Sequence, residues 1–87
     1  MYSVYILYSD SSDKYYIGHT ENIDKRLHQH NNPIEYSKYT SKHLPWTLVV
    51  NIPKYATRAE AMKVEKFIKK QKSKKFIQDI ISQKVQL

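Results

Sequence analysis

The chain has 87 residues, with 15 Lys or Arg against 8 Asp or Glu, a net charge of +7 and no cysteine. So short a chain supports one modest core, read as a single domain over residues 1–87, and lack of cysteine excludes a disulfide framework or a thiolate metal site. Met1-Tyr2-Ser3-Val4-Tyr5 lacks the regions of a signal peptide and no run approaches the ~18 apolar residues that cross a bilayer, so a soluble, cytoplasmic protein with no membrane partner is expected.

In chain order, Tyr2 to Ser9 alternates Tyr2, Val4, Ile6 and Tyr8 on one face with Ser3, Tyr5 and Leu7 on the other, the pattern of a strand buried on at least one side. Asp10-Ser11-Ser12-Asp13-Lys14 is turn chemistry, and Tyr15 to His19 returns to β-favouring residues, which predicts a hairpin. Asn22 caps a helix from Ile23 to about Asn31, stopped at Asn31-Asn32-Pro33. A loop follows to Pro45, after which Trp46, Leu48, Val50 and Ile52 alternate as a third strand. Thr57-Arg58-Ala59-Glu60 reads as a capping box opening a helix to about Lys72, and Ser73 caps a last helix that turns Phe76, Ile77, Ile80 and Ile81 inward. The expected class is α+β, in the order ββαβαα.

Charge is unevenly placed. Residues 1–53 hold five basic and five acidic side chains, whereas residues 54–87 hold ten basic and three acidic, so the whole excess lies in the C-terminal helical region. A polyanion is the natural partner of such a surface, although a lysine-rich helix is also an ordinary solvated face.

Polar groups on apolar faces narrow the reading. Arg26 and His30 fall beside the Ile23 and Leu27 stripe of the first helix. On the next helix, Glu65 falls inside the stripe of Ala61, Val64 and Ile68. A carboxylate there is paired, hydrated or bound to metal, because an unpaired buried charge costs several kcal/mol. The plain alternative is a structural ion pair of Glu65 with Arg26 or a lysine. In the hairpin, a register with Tyr8 opposite Tyr15 sets Tyr5 opposite Gly18 and Leu7 opposite Tyr16, so that Tyr5 and Tyr16 project from one face and Gly18 leaves room above the sheet.

Taken together, Tyr5, Tyr16-Ile17-Gly18, Arg26 ten residues beyond Tyr16, His30 one turn later, and Glu65 resemble the motif of the GIY-YIG nucleases, in particular their small stand-alone single-domain bacterial type. His30-Asn31, Lys38-Tyr39-Thr40, Pro45-Trp46 and Arg58-Ala59-Glu60-Ala61-Met62 extend the likeness over nearly the whole chain. Ser3-Val4 replaces the Gly-Ile of the family name, and no asparagine follows Asn51 where some branches have one. The resemblance implies a three-stranded antiparallel sheet flanked by helices, and a metal-dependent endonuclease acting on DNA with little sequence preference, with branched or damaged DNA in repair or processing as the favoured substrate and RNA left open.

It further implies one divalent ion, Mg²⁺ or Mn²⁺, on Glu65, a hard oxygen ligand suited to an ion that keeps several waters. Arg26 is assigned to the charge of the five-coordinate phosphate, and Tyr5 is the candidate general base, with Tyr16 and His30 orienting water and phosphate and the choice of base left open among Tyr5, Tyr16 and His30. Lys38, Tyr39 and Lys42 interleave cations with an aromatic, a pattern that follows a nucleic-acid backbone and equally a solvated loop. Lys69, Lys70, Lys72, Lys74 and Lys75 are expected to contact phosphates rather than bases. His19, His28, His30 and His43 do not compose a zinc site, since there is no cysteine and no helix-spaced histidine pair. A monomer is expected, with a protein partner for targeting. The competing function is a catalytically weak or silent nucleic-acid-binding module that acts through such a partner.

Overall fold

A computed structural model describes residues 1–32 and 42–87. Its elements are strands β1 (Tyr2–Ser9) and β2 (Lys14–Thr20), helix α1 (Ile23–His30), strand β3 (Trp46–Tyr55) and helices α2 (Arg58–Gln71) and α3 (Lys74–Ile81). The three strands form one antiparallel sheet in the order β2-β1-β3, which makes the fold α+β in the element order read from the sequence. β1 is the central strand, and its alternating apolar residues are covered on both faces: Val4, Ile6 and Leu7 are all 0% exposed.

The two faces carry different cores. Val4, Ile6 and Ile17 pack with Ala61 and Ile68 of α2 and with Ile77 and Ile80 of α3. Tyr5, Leu7 and Trp46 form the opposite core, closed by Ile23 and Leu27 of α1. The hairpin has the register expected from the sequence, with Tyr8 opposite Tyr15, Leu7 opposite Tyr16 and Tyr5 opposite Gly18.

Strand β3 departs from the expected alternation. Val50 pairs with Ile6 but Leu48 with Leu7, so Val49 is an extra residue at a bulge. An extra residue reverses the side-chain parity beyond it. Trp46 and Leu48 therefore join the tyrosine core while Val50 and Ile52 join the other one. The strand also runs on through Pro53 to Tyr55, where the pairing with β1 shifts register a second time between Ile52 and Tyr55, and an edge strand at such an irregularity accommodates a proline.

Each of these three helices begins on a side-chain cap. Asn22, Thr57 and Ser73 accept backbone N–H bonds from Lys25, Glu60 and Phe76. Lys72, at φ 49°, makes the left-handed turn that separates α2 from α3. Among the described residues no helix is long and apolar enough to cross a membrane.

Candidate active site

Strand pairing builds the first part of the site. Because Tyr5 sits opposite Gly18, its ring lies over the one position in β2 without a side chain, so close that a Cβ there would stand 2.5 Å from the phenolic oxygen. The ring is 1% exposed, and its hydroxyl is 2.8 Å from Nε2 of His30, which is 0% exposed. Tyr16 shares this face, with its ring centroid 4.5 Å from that of His30 and 6.4 Å from that of Tyr5. Burial, helped by the nearby Arg26 guanidinium, pulls the His30 pKa down to about 4, so the imidazole is neutral at physiological pH.

The position of His30 is fixed from outside α1. Asn31 donates through Nδ2 to the Trp46 carbonyl at 3.1 Å and accepts the Trp46 N–H through Oδ1 at 2.7 Å. Its amide thus acts as a short strand partner that ties the end of α1 to the start of β3. In the sequence Asn31 stands out only as part of the helix stop and of the His30-Asn31 pair.

Glu65 lies across the sheet from the tyrosines, on α2. One carboxylate oxygen is 2.6 Å from Nδ1 of His19 and the other accepts from Lys69 Nζ at 2.7 Å. The pair is with lysine and histidine, not with Arg26. Burial pushes the carboxyl pKa up, but the Lys69 and His19 bonds outweigh it and hold it below the ordinary value, so Glu65 is ionised at neutral pH. His19 is the partner that residue-type reasoning missed. Strand parity held the signal, since Ile17 and His19 share the face that meets α2.

The two parts meet around the edge strand β2. A polar cleft of about 550 Å³ is lined by Arg26, Lys25 and Gln29 of α1, His19 and Glu21 around the end of β2, and Arg58 of α2. Arg26 thus borders the cleft and bears on His30, while His19 borders it and bonds Glu65.

A hard divalent cation, the ion implied by the motif, suits this donor set. Glu65 is an ionised carboxylate, 16% exposed, and the lysine on its second oxygen is a half-exposed side chain one turn away that can swing aside. Among the described residues no three His, Asp or Glu side chains converge to form a closed metal cage. A single carboxylate fits an ion that keeps most of its waters.

The remaining expected contacts are dispersed. Lys38 and Tyr39 lie outside the described residues, and Lys42 is exposed. Lys70 and Lys72 are exposed, Lys74 bonds Asp13 at 2.8 Å and Lys75 lies 3.5 Å from Asp79. Trp46 is core, 3% exposed.

A family model described as the GIY-YIG catalytic domain matches residues 1–78. The chain is also similar to proteins named structure-specific endonuclease subunit SLX1 homolog. It is 33% identical over 69 residues to the one from Giardia intestinalis, covering 75% of this chain and 19% of that protein. To the one from Drosophila persimilis it is 35% identical over 71 residues, covering 74% of this chain and 24% of that protein. The chain therefore spans about a fifth to a quarter of the length of these curated relatives. No solved structure matches it.

Proposed function

The chain belongs to the GIY-YIG family, and from that membership we propose that it is a divalent-metal-dependent endonuclease that hydrolyses DNA phosphodiester bonds with little sequence preference. The observation that carries this reading is the hairpin register, which lays Tyr5 over Gly18 and delivers its hydroxyl to a neutral His30 beside Tyr16. Selection by DNA shape, in repair or processing, is supported by relatives named as structure-specific endonucleases, and a targeting protein partner by the word subunit in their names. Contacts from lysines to phosphates rather than to bases would go with weak sequence preference.

Arg26, which borders the cleft, would meet the phosphate that is cut and offer its planar fork to the extra charge of the five-coordinate state. Glu65 would hold Mg²⁺ or Mn²⁺, which when bound supplies Lewis-acid polarisation of a phosphate oxygen. Of the groups that could take a proton from attacking water, Tyr5 and His30 are sealed from solvent while Tyr16 is half-buried on the edge strand. Access therefore favours Tyr16 as the phenol that meets water. Tyr5 and His30 then serve as the buried pair that holds it, with a neutral imidazole able to accept from or donate to the Tyr5 oxygen according to its tautomer.

The test is cleavage of supercoiled and branched DNA with Mg²⁺, Mn²⁺ or chelator by wild type, Glu65→Gln and Arg26→Ala, all checked for folding. Metal-dependent nicking is expected, with each substitution lowering it on the order of 10²-fold. A folded wild type that binds but cuts nothing would transfer the assignment to a binding module, in which Glu65 is the structural ion pair that its bonds to Lys69 and His19 already describe.

A further inference from the structure

The cleft between the first turns of α1 and α2 has a second wall that the proposed chemistry leaves unused. Arg58 opens α2 and Lys25 lies in α1, and both line the cleft that Arg26 and His19 border. Its one carboxylate, Glu21, accepts the Tyr2 hydroxyl at 2.7 Å, so the cleft sets three permanent cations against a single, already hydrogen-bonded acid. Arg58 is steadied beneath by the Tyr2 ring, with its guanidinium carbon 5.8 Å from the ring centroid.

The helix fixes its distance from Glu65. Seven residues separate them, two turns less about 20°, so both lie on one stripe of α2 with Arg58 about 10 Å nearer its start. Lys69 continues that stripe one turn beyond Glu65, on its carboxylate. A strand laid along it would meet cations on both sides of the carboxylate, and on the Arg58 side it would enter a walled cleft rather than cross open surface.

We propose that this cleft is a second phosphate subsite, in which Arg58 and Lys25 grip a backbone phosphate flanking the one presented to Arg26 and Glu65. The inference rests on the nuclease reading for which phosphate is cut, but binding by itself decides it. The subsite sets the direction in which the strand crosses α2 and keeps the flanking nucleotide at the edge of β2.

The experiment measures affinity for a fluorescent branched DNA in chelator, across a salt series, for the full chain and for Arg58→Gln, Lys25→Gln and, as a control outside the cleft, Lys84→Gln. Arg58→Gln and Lys25→Gln are each expected to weaken binding roughly 5- to 30-fold and to lower the slope of log affinity against log salt by about 0.9, the signature of one lost phosphate contact. A set of the same DNA with single methylphosphonate linkages then locates the phosphate. The linkage that weakens wild-type binding should cost nothing further in Arg58→Gln. Unchanged affinity and slope in the two cleft variants would overturn the proposal, as would an equal loss in Lys84→Gln, which would reveal charge without a site. No hydrogen bond or cation–ring contact joins Lys25 to Tyr2, so it keeps the test valid should Arg58→Gln disturb β1. A wild type that never cuts would sink the nuclease reading while leaving these binding results to judge the cleft.

Discussion

Gly18 shows how one residue governs the tyrosine side of the site. Its missing side chain is filled by the Tyr5 ring, and an alanine Cβ would stand 2.5 Å from Oη and 2.7 Å from Cζ. The ring cannot yield cheaply, because it is 1% exposed and its far end is bound to His30. Gly18→Ala should cost about 1–3 kcal/mol in urea unfolding, the range for overpacking a filled core. Most of that cost should vanish in a Tyr5→Leu background; an undiminished penalty there would mean that the strain lies elsewhere. His30 makes the second residue-scale prediction. An unfolded histidine takes its proton near 6.5, but in the fold this occurs only near 4. Between those values the unfolded chain binds more protons, so stability falls as pH drops from about 6.5 towards 4 and levels off below, by up to roughly 3 kcal/mol. Glu65 and Asp13, whose carboxyls are held below their ordinary values, lose their contributions at still lower pH, so the histidine effect is cleanest between pH 7 and 5. Urea midpoints across that interval should slope in wild type and flatten in His30→Gln; parallel slopes would assign the effect to another group.

At the scale of elements, the site depends on how α1 is fastened. The helix is only eight residues long, too short to persist without tertiary support, and its last residue carries the buried imidazole. Asn31 supplies that support through its two bonds to the Trp46 backbone. Asn31→Ala leaves the Trp46 N–H and carbonyl seeking new partners, and about 1–3 kcal/mol of stability should be lost. Exchange of the Trp46 amide hydrogen should accelerate by a similar free energy; an unchanged exchange rate would show that the clamp does not hold the strand. Sequence made the elements and the hairpin register legible because both follow from local patterns: turn residues, caps and period-two alternation. It did not disclose the bulge at Val49, since Trp46, Leu48, Val50 and Ile52 alternate without a break and the reversal of faces comes from pairing with β1. The partners of Glu65 were only half legible for the same reason. Lys69 stands four residues along the same helix, whereas His19 reaches the carboxylate from 46 residues away.

For the whole molecule, the sheet separates two cores and the proposed machinery wraps around its β2 edge, with the tyrosines on the α1 face and Glu65 on the α2 face. A chain with extents of 32 × 27 × 19 Å is thin enough for one backbone to touch both. The net charge of +7 is carried by residues 54–87, among which Lys70 and Lys72 are exposed and, among the described residues, join no ion pair. Both stand at the C-terminal end of α2, where the helix dipole gives an exposed cation on the order of a few tenths of a kcal/mol, so the fold gains little from them, and a nucleic-acid partner is what they can serve. Lys70→Gln with Lys72→Gln should leave unfolding free energy within about 0.5 kcal/mol of wild type, as expected for exposed side chains without partners. The same double variant should lower the slope of log affinity against log salt by roughly 1.8 if both lysines release counterions on duplex DNA. Association should slow more than dissociation quickens, because charges at the approach to a site act mainly on encounter. Unaltered salt dependence would confine the DNA footprint to the cleft and to Glu65's own helix face, leaving the joint between α2 and α3 as solvated surface.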